Sequence, residues 1–403
     1  MTPEFNLLCQ LCQPPSPDRS ALHAAQLISQ LDDWTPVVGR AIEHELLPLF
    51  GQTLLREHAA SLPPDLHAAL QVRLERGCEA AMALTNALHN LLDCCERQGI
   101  EVAPFKGPLL AQRAYQNPLS REFHDLDLLV RHQDLERLLN ALTDLGYTHP
   151  PDLSANQRRA LAGYAGQYIL FSPDGQVSVE PHWWLAPNTL AVDLDYRRIW
   201  SRVRRGRFQH REVLELAPED TVLMLCIHGG KEQWPVLKQV VDLVWYLSSV
   251  PTLDWPSLQR DAEAWGIARM LRVGLLLAKR ITPATVPERV RAWIVQDARA
   301  LALADVLWRR LDGGVQLPNP YRLDRYYRAI RERGGDRLRY LWRTLSTPRA
   351  VHVGLLDLPL SLHWLYSSVK IIHDGLALPL WKLLRQVSEV IGSQPKIAPK
   401  KHP

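Results

Sequence analysis

Apolar positions recur at helical spacing through the first quarter of the chain, as in Leu22, Ala25, Leu27, Ile28 and Leu31, and again from Leu66 to Leu92. Pro36, Pro48 and the Pro63-Pro64 pair break this stretch, so Ala21 to Arg97 reads as a set of helices. At Gly99 the pattern changes. Ile100 to Phe105 is a short strand candidate, Lys106-Gly107-Pro108 turns into a helix from Leu109 to Tyr115, and Phe123 to Val130 is a second strand. A helix from Asp134 to Leu145 follows, closed by Gly146. Gly166 to Ser172 and Gln176 to His182 then flank Pro173-Asp174-Gly175, which has the chemistry of a hairpin turn. Val213, Leu214 and Leu216 suggest one more strand within Arg207 to Leu216. Helical periodicity returns over Thr221 to His228, Val236 to Leu247, Leu258 to Ala278 and Val286 to Arg310.

The pattern predicts an α+β protein with four parts: a helical module at 1–98, a small mixed α/β unit at 99–217, a second helical module at 218–315, and an arginine-rich helical extension with a tail at 316–403. With 403 residues, 46% hydrophobic and 22% charged, the chain has ample material for a core. Subtracting 43 acids from 47 Lys and Arg leaves +4, too small a surplus for a dedicated nucleic-acid binder. Of six cysteines only Cys9 and Cys12 have metal or redox spacing, and no second pair completes a zinc site. Buried thiols in a reducing cytoplasm are the expectation. The start of the chain lacks the basic and apolar regions of a signal peptide, and His363, Lys370, His373 and Asp374 interrupt the apolar run from Val351 to Leu384 too often for a membrane span. Within it, Leu355 to Leu384 reads as a buried terminal helix, with a docking or membrane-surface helix as the alternative.

The candidate chemistry begins with His124-Asp125-Leu126-Asp127-Leu128-Leu129-Val130. On a strand, Asp125 and Asp127 share one face and Leu126, Leu128 and Val130 the other. Two half-buried carboxylates so close together repel unless a cation neutralises them, and Mg²⁺ or Mn²⁺ is the natural partner for such hard oxygens. Two solvated aspartates on an exposed strand edge are the plain alternative. Glu180 shares a strand face with Ser178 and His182, so it can join the aspartates across neighbouring strands; the plain alternative is that it ends a hairpin and pairs with a nearby arginine. Three acids suffice for two metals of the kind that support phosphoryl or nucleotidyl transfer. Lys106 and Gly107 supply a cation and a close-approach turn opening a helix, which suits phosphate oxygens. Arg121 is placed to contact phosphate or to pair with the acids.

The ordered set Phe105-Lys106-Gly107, Tyr115, Arg121, Asp125 to Val130, Gly146-Tyr147, Glu180, His182-Trp183, His228-Gly229, Lys231, Trp234 and Asp242 resembles the uncharacterised nucleotidyltransferase family of the polymerase-beta-like superfamily, over about residues 20 to 310. The resemblance implies a nucleotidyltransferase palm flanked by helices, with Asp125, Asp127 and Glu180 as metal carboxylates. It also implies an NTP co-substrate such as ATP and a small-molecule or peptide acceptor, as in natural-product tailoring. His228 and Lys231, three apart on one helical face, and Lys238 and Asp242, four apart on a later turn, are candidates to hold base or phosphate. An ion pair and a satisfied histidine tying helix to sheet is the structural alternative. The rival functions are a metal-dependent kinase on the same site and a non-catalytic scaffold of a biosynthetic complex.

Two stretches invite a nucleic-acid reading: Arg197 to Arg211, with seven arginines and no acid, and Arg322 to Arg343, where arginines alternate with Tyr326, Tyr327, Tyr340 and Trp342. Solvated faces and snorkelling side chains are the favoured explanation.

Overall fold

The computed structural model describes residues 1–15, 21–150, 153–250, 252–283, 286–313 and 320–377. Helices α1 (Pro3–Leu11), α2 (Ala21–Ser29), α3 (Thr35–Glu43), α4 (Leu47–Glu57) and α5 (Pro64–Arg97) come first. The central unit follows as β1 (Val102–Pro104), α6 (Gly107–Tyr115), β2 (Asp125–Val130), α7 (Leu135–Asp144), α8 (Ala155–Ala165), β3 (Leu170–Phe171), β4 (Ser178–His182), α9 (Tyr196–Arg202), β5 (Arg204–Phe208) and β6 (Arg211–Glu215). Then come α10 (Pro218–Glu232), α11 (Leu237–Ser249), α12 (Trp255–Ala264), α13 (Ala268–Ile281), α14 (Glu288–Val295), α15 (Ala298–Asp312), α16 (Pro320–Ile330), α17 (Gly334–Ser346), α18 (Ala350–Val353) and α19 (Leu365–Ile372). The protein is mostly helical around a small mixed sheet, an α+β architecture.

The sheet order is β1-β2-β4-β3, with β2 and β4 parallel and the two outer pairs antiparallel. A parallel pair needs a crossover, here carried by α7 and α8. The period of two along β2 separates two cores. Leu126, Leu128 and Val130 pack with α5 and α7, whereas Leu129 joins Ala103, Phe105 and the buried faces of α10, α11 and α13. Asp125 and Asp127 share the parity of Leu129, so they face the helices α10 and α11 rather than α5.

Several boundaries differ from the sequence expectation. The strand expected within Arg207 to Leu216 is half of a separate hairpin, β5–β6. The single helix expected over Leu258 to Ala278 breaks at Gly266, whose φ of +67° ends α12 and turns the chain into α13. A Cβ at Gly266 would also sit 2.6 Å from an Asp336 carboxylate oxygen. Asp297 likewise divides Val286 to Arg310, its carboxylate accepting from the N–H groups of Arg299 and Ala300 to cap α15. Helix α8 had no strong apolar period; a reciprocal cap between Ser154 and Gln157 defines its start. The expected buried terminal helix is only partly met: in α19, Tyr366 and Lys370 turn inward while Ile371 and Ile372 are exposed. The remainder of the Leu355–Leu384 segment, from 378 on, and the basic tail lie outside the described residues. No described helix is long and apolar enough to cross a membrane. All six cysteines are thiols, Cys78 alone being half-exposed, and burial pushes the Cys9 thiol far up, against a metal or redox role for the Cys9–Cys12 pair.

The arginine-rich stretches combine solvated side chains, such as Arg197, Arg205 and Arg207, with internal staples. Arg202 pairs with both Asp220 and Asp261, Arg198 with Asp261, Arg204 with Glu215, and Arg211 with Asp93 and Glu96. In the later stretch, the Tyr326 and Tyr327 hydroxyls donate to the carbonyls of Gly230 and Lys231, closing two of the orphan acceptors at the end of α10. Arg333 donates to Glu263 and Ala264 carbonyls, and Arg343 to that of Asn188.

Candidate functional site

Helix α6 starts at a turn that only glycine fits comfortably. Gly107 has φ +54°, and a Cβ there would lie 3.1 Å from the Asp125 carbonyl oxygen. The close approach sets Lys106, at the N-cap of α6, against the aspartates of β2. In the parallel register Asp127 lies opposite Glu180 and Leu129 opposite His182, so Glu180 and His182 point to the aspartate face.

The result is a buried corner of acids. Asp127, 2% exposed, has Oδ1 3.4 Å from the Lys106 ammonium and 2.9 Å from His182 Nε2. His182 Nε2 is also 3.4 Å from Glu180 Oε2, which accepts from Gln167 Nε2 at 2.6 Å. Ligand atoms of Asp127, Glu180 and His182 all lie within 4.8 Å of one another. Asp125 stands outside that trio and lines the adjoining cleft.

Two details of the corner point to a cation. His182 Nδ1 faces the Trp184 carbonyl at 3.4 Å, and because a carbonyl only accepts, this nitrogen carries the hydrogen. In its neutral form the ring would then turn a bare Nε2 toward two carboxylates, which draw either a proton or a cation to that nitrogen. That nitrogen is close to Asp127 but not aligned for a hydrogen bond, and Asp127 Oδ2 is buried with no hydrogen-bond partner. Adjacent ligands of an octahedral Mg²⁺ at about 2.1 Å stand about 3 Å apart, so the 2.9 Å spacing suits two donors to one ion. A histidine whose other nitrogen donates to a backbone carbonyl is the usual arrangement for a metal ligand. The residues present therefore fit a divalent metal.

Electrostatics separate the acids. Burial alone would raise Asp127, but Lys106 and His182 hold it far below the carboxylate range. Asp125 is raised, first by burial and then by the Asp127 charge, against the pull of Lys106. Burial would lower His182, yet Asp127 and Glu180 bring it above its ordinary value. His228 is pushed well down by burial, Lys106 and Lys231, which keeps it neutral.

Beside the corner lies a cleft of about 250 Å³ lined by Lys106, Arg121, Asp125, His228, Lys238 and Asp242. Arg121 is held by Asp242 through Nε at 2.9 Å and Nη2 at 3.0 Å, and Tyr115 donates to the same carboxylate at 2.6 Å. Although burial opposes its charge, Asp242 keeps the Arg121 guanidinium above its ordinary value. Asp242 thus binds the arginine rather than offering itself to a ligand. Lys238 pairs with Glu45 and donates to the Glu122 carbonyl at 3.2 Å, not to Asp242 one turn away. Lys231 faces out of the cleft into another cavity, while its neighbour Glu232 takes the cleft side and approaches His228 at 3.5 Å. A larger cavity, about 580 Å³, lies behind Tyr115 and Trp245 and touches none of the three clustered acids and bases.

Strand alternation thus brings Asp125, Asp127 and Glu180 to one face, with Lys106, Gly107, Arg121, His228, Lys238 and Asp242 around them; Lys231 is the one expected residue turned away. Sequence reasoning assigned His182 no role, although its parity with Glu180 was visible. Glu45 and Gln167 gave no signal, because their partners are remote in the chain.

Residues 30–283 match the model of a family described as uncharacterised nucleotidyltransferase. The chain belongs to that family. The match takes in every residue of the cleft and corner and supports nucleotidyl transfer as the general activity of this nucleotidyltransferase. No curated protein and no solved structure matches the chain.

Proposed function

We propose that this nucleotidyltransferase, with a polymerase-beta-like palm, moves a nucleoside monophosphate from an NTP to a hydroxyl or phosphate of a small-molecule or peptide acceptor. The observation that carries the reading is the buried Asp127 Oδ2 without a hydrogen-bond partner, beside His182 Nε2 and Glu180. Asp127, Glu180 and His182, with Asp125 at the cleft edge, would hold Mg²⁺ or Mn²⁺. When bound, the metal supplies charge neutralisation for the acids and polarises the phosphoryl oxygens. Lys106 and the N–H groups opening α6 take the triphosphate, and Arg121, fixed by Asp242, stands ready for charge that develops as the bond breaks. The acceptor oxygen attacks the α-phosphorus, its proton passes to Glu180, and the bond to the bridging oxygen breaks to release pyrophosphate. A natural-product tailoring step with ATP as donor fits this chemistry, and the thiol state of all six cysteines suits a reducing cytoplasm.

Incubation with Mg²⁺ and each NTP, labelled at the α- or γ-phosphate, tests the assignment. Label from the α-position on an acceptor with pyrophosphate release supports it. Transfer of γ-label with nucleoside diphosphate release makes the protein a kinase, and absence of both turnover and metal-dependent NTP binding leaves a scaffold.

A further inference from the structure

A second cavity, about 230 Å³, lies across the end of α10 from the acidic corner. Its walls carry Lys231, Arg349 and Lys370 with the hydroxyl-bearing Tyr327, Tyr340 and Thr344, and among the described residues no carboxylate lines it. Lys370 is the telling member. Its side chain is 9% exposed, and its nearest acid, Asp374, is 3.5 Å away behind it. Arg349 approaches the same carboxylate at 3.4 Å, and His352 and His373 at 2.9 and 2.8 Å. Two fixed cations therefore share one carboxylate, and Lys231 adds another whose acid, Glu232, also serves His228 and Gln239. A buried ammonium is costly without a counter-charge, and this cavity has a surplus of cations facing open space.

The His352, His373 and Asp374 group is not itself a metal site. His352 Nδ1 accepts from the Arg349 N–H at 3.0 Å, so Nε2 carries the hydrogen toward Asp374 and offers no lone pair.

We propose that this cavity binds the anionic end of the acceptor, a phosphate or carboxylate group. The assignment rests on the nucleotidyl-transfer reading for its purpose, but the anion site stands on its own geometry. Helix α10 carries residues of both this cavity and the cleft. Lys231 is three residues beyond His228, about 4.5 Å along α10. The wall at Pro187 is five residues beyond His182, at most about 18 Å even if the chain were extended. Arg349 and Lys370 come from beyond residue 283, outside the family match, so the helices that follow the nucleotide-handling part supply the acceptor contacts.

Calorimetric titration of the full chain with inorganic phosphate, and separately with succinate, without metal or NTP, tests the site. The titrations run in wild type and in Lys106→Met, where the triphosphate turn no longer contributes. Saturable binding in both is expected, weakened about tenfold or more by Arg349→Gln and by Lys370→Met, and retained by Lys370→Arg. Arg349 is two-thirds exposed, so its variant should fold even if Lys370→Met does not. Tighter phosphate points to a phosphorylated acceptor, and tighter succinate to a carboxylate. No saturable binding at millimolar concentration, or binding indifferent to Arg349→Gln, overturns the proposal. Mg²⁺-dependent NTP binding is measured separately on the wild-type protein, so either reading can fail alone.

Discussion

Two buried acid clusters in this protein differ in a way that separates structure from chemistry. At the base of α9, Asp220 and Asp261 are saturated: Arg202 reaches both, and Arg198 takes Asp261 Oδ1 at 3.0 Å. Within β2, Asp127 is buried as deeply, yet it has one lysine at 3.4 Å, an unaligned histidine and an oxygen with no hydrogen-bond partner. Evenly matched charges hold a fold; unmatched ones wait for a ligand.

Substituting the central residue of each cluster should expose the difference. Arg202→Met leaves the buried Asp220 without a counter-charge and Asp261 with Arg198 alone, and should cost about 3–5 kcal/mol in urea unfolding. Asp127→Asn gives up the charge pairing with Lys106 and His182 and relieves repulsion from Asp125, so it should cost less than Arg202→Met while NTP turnover falls by about a thousandfold or more. Equal destabilisation by both would erase the distinction.

The histidines sharpen the same contrast. His44 is fully buried, its Nδ1 accepting from the Leu237 N–H at 3.2 Å, and burial with Arg40 pushes it down to about 4. Its folded value lies below its unfolded one, so the stability it contributes is complete above about pH 6.5 and is lost as pH falls toward 4. Thermal and urea melts should show about 2 kcal/mol lost between pH 7 and 5 from this group, and His44→Gln should flatten that slope.

Gly107→Ala should have a smaller effect, about 1–3 kcal/mol, because of its positive φ and the 3.1 Å approach to the Asp125 carbonyl. Weakened NTP binding should accompany it, since the strain falls on the turn that carries Lys106. The smallest effect belongs to Arg205→Ala, whose exposed pair with Glu212 should be worth less than about 0.5 kcal/mol by double-mutant cycle.

Much of this was legible in the chain. The period of two in Asp125 to Val130 put both aspartates on one face, and the Pro-Asp-Gly turn placed Glu180 on a strand that could join them. The Lys106-Gly107-Pro108 turn into a helix was readable from the proline that opens α6, but a Gly-Pro turn alone is weak evidence for a phosphate site and became telling only beside the aspartates. Partners fixed by distant packing were not legible. Asp242 was a candidate ligand until Arg121 and Tyr115 occupied its carboxylate, and Lys231 shared a helical face with His228 on paper but faces another cavity. In the arginine-rich stretches the solvated face was legible, as at the exposed Arg197, Arg205 and Arg207, but the pairs to Asp93, Asp220 and Asp261 were not.

The central claim is that Asp127, Glu180 and His182 converge on a cation. Titration of the full chain with Mn²⁺, followed by electron paramagnetic resonance, tests it directly. The account predicts saturable Mn²⁺ binding in the wild type that Asp127→Asn abolishes and His182→Gln weakens, with both variants folded. Binding of equal strength in wild type and Asp127→Asn would contradict it.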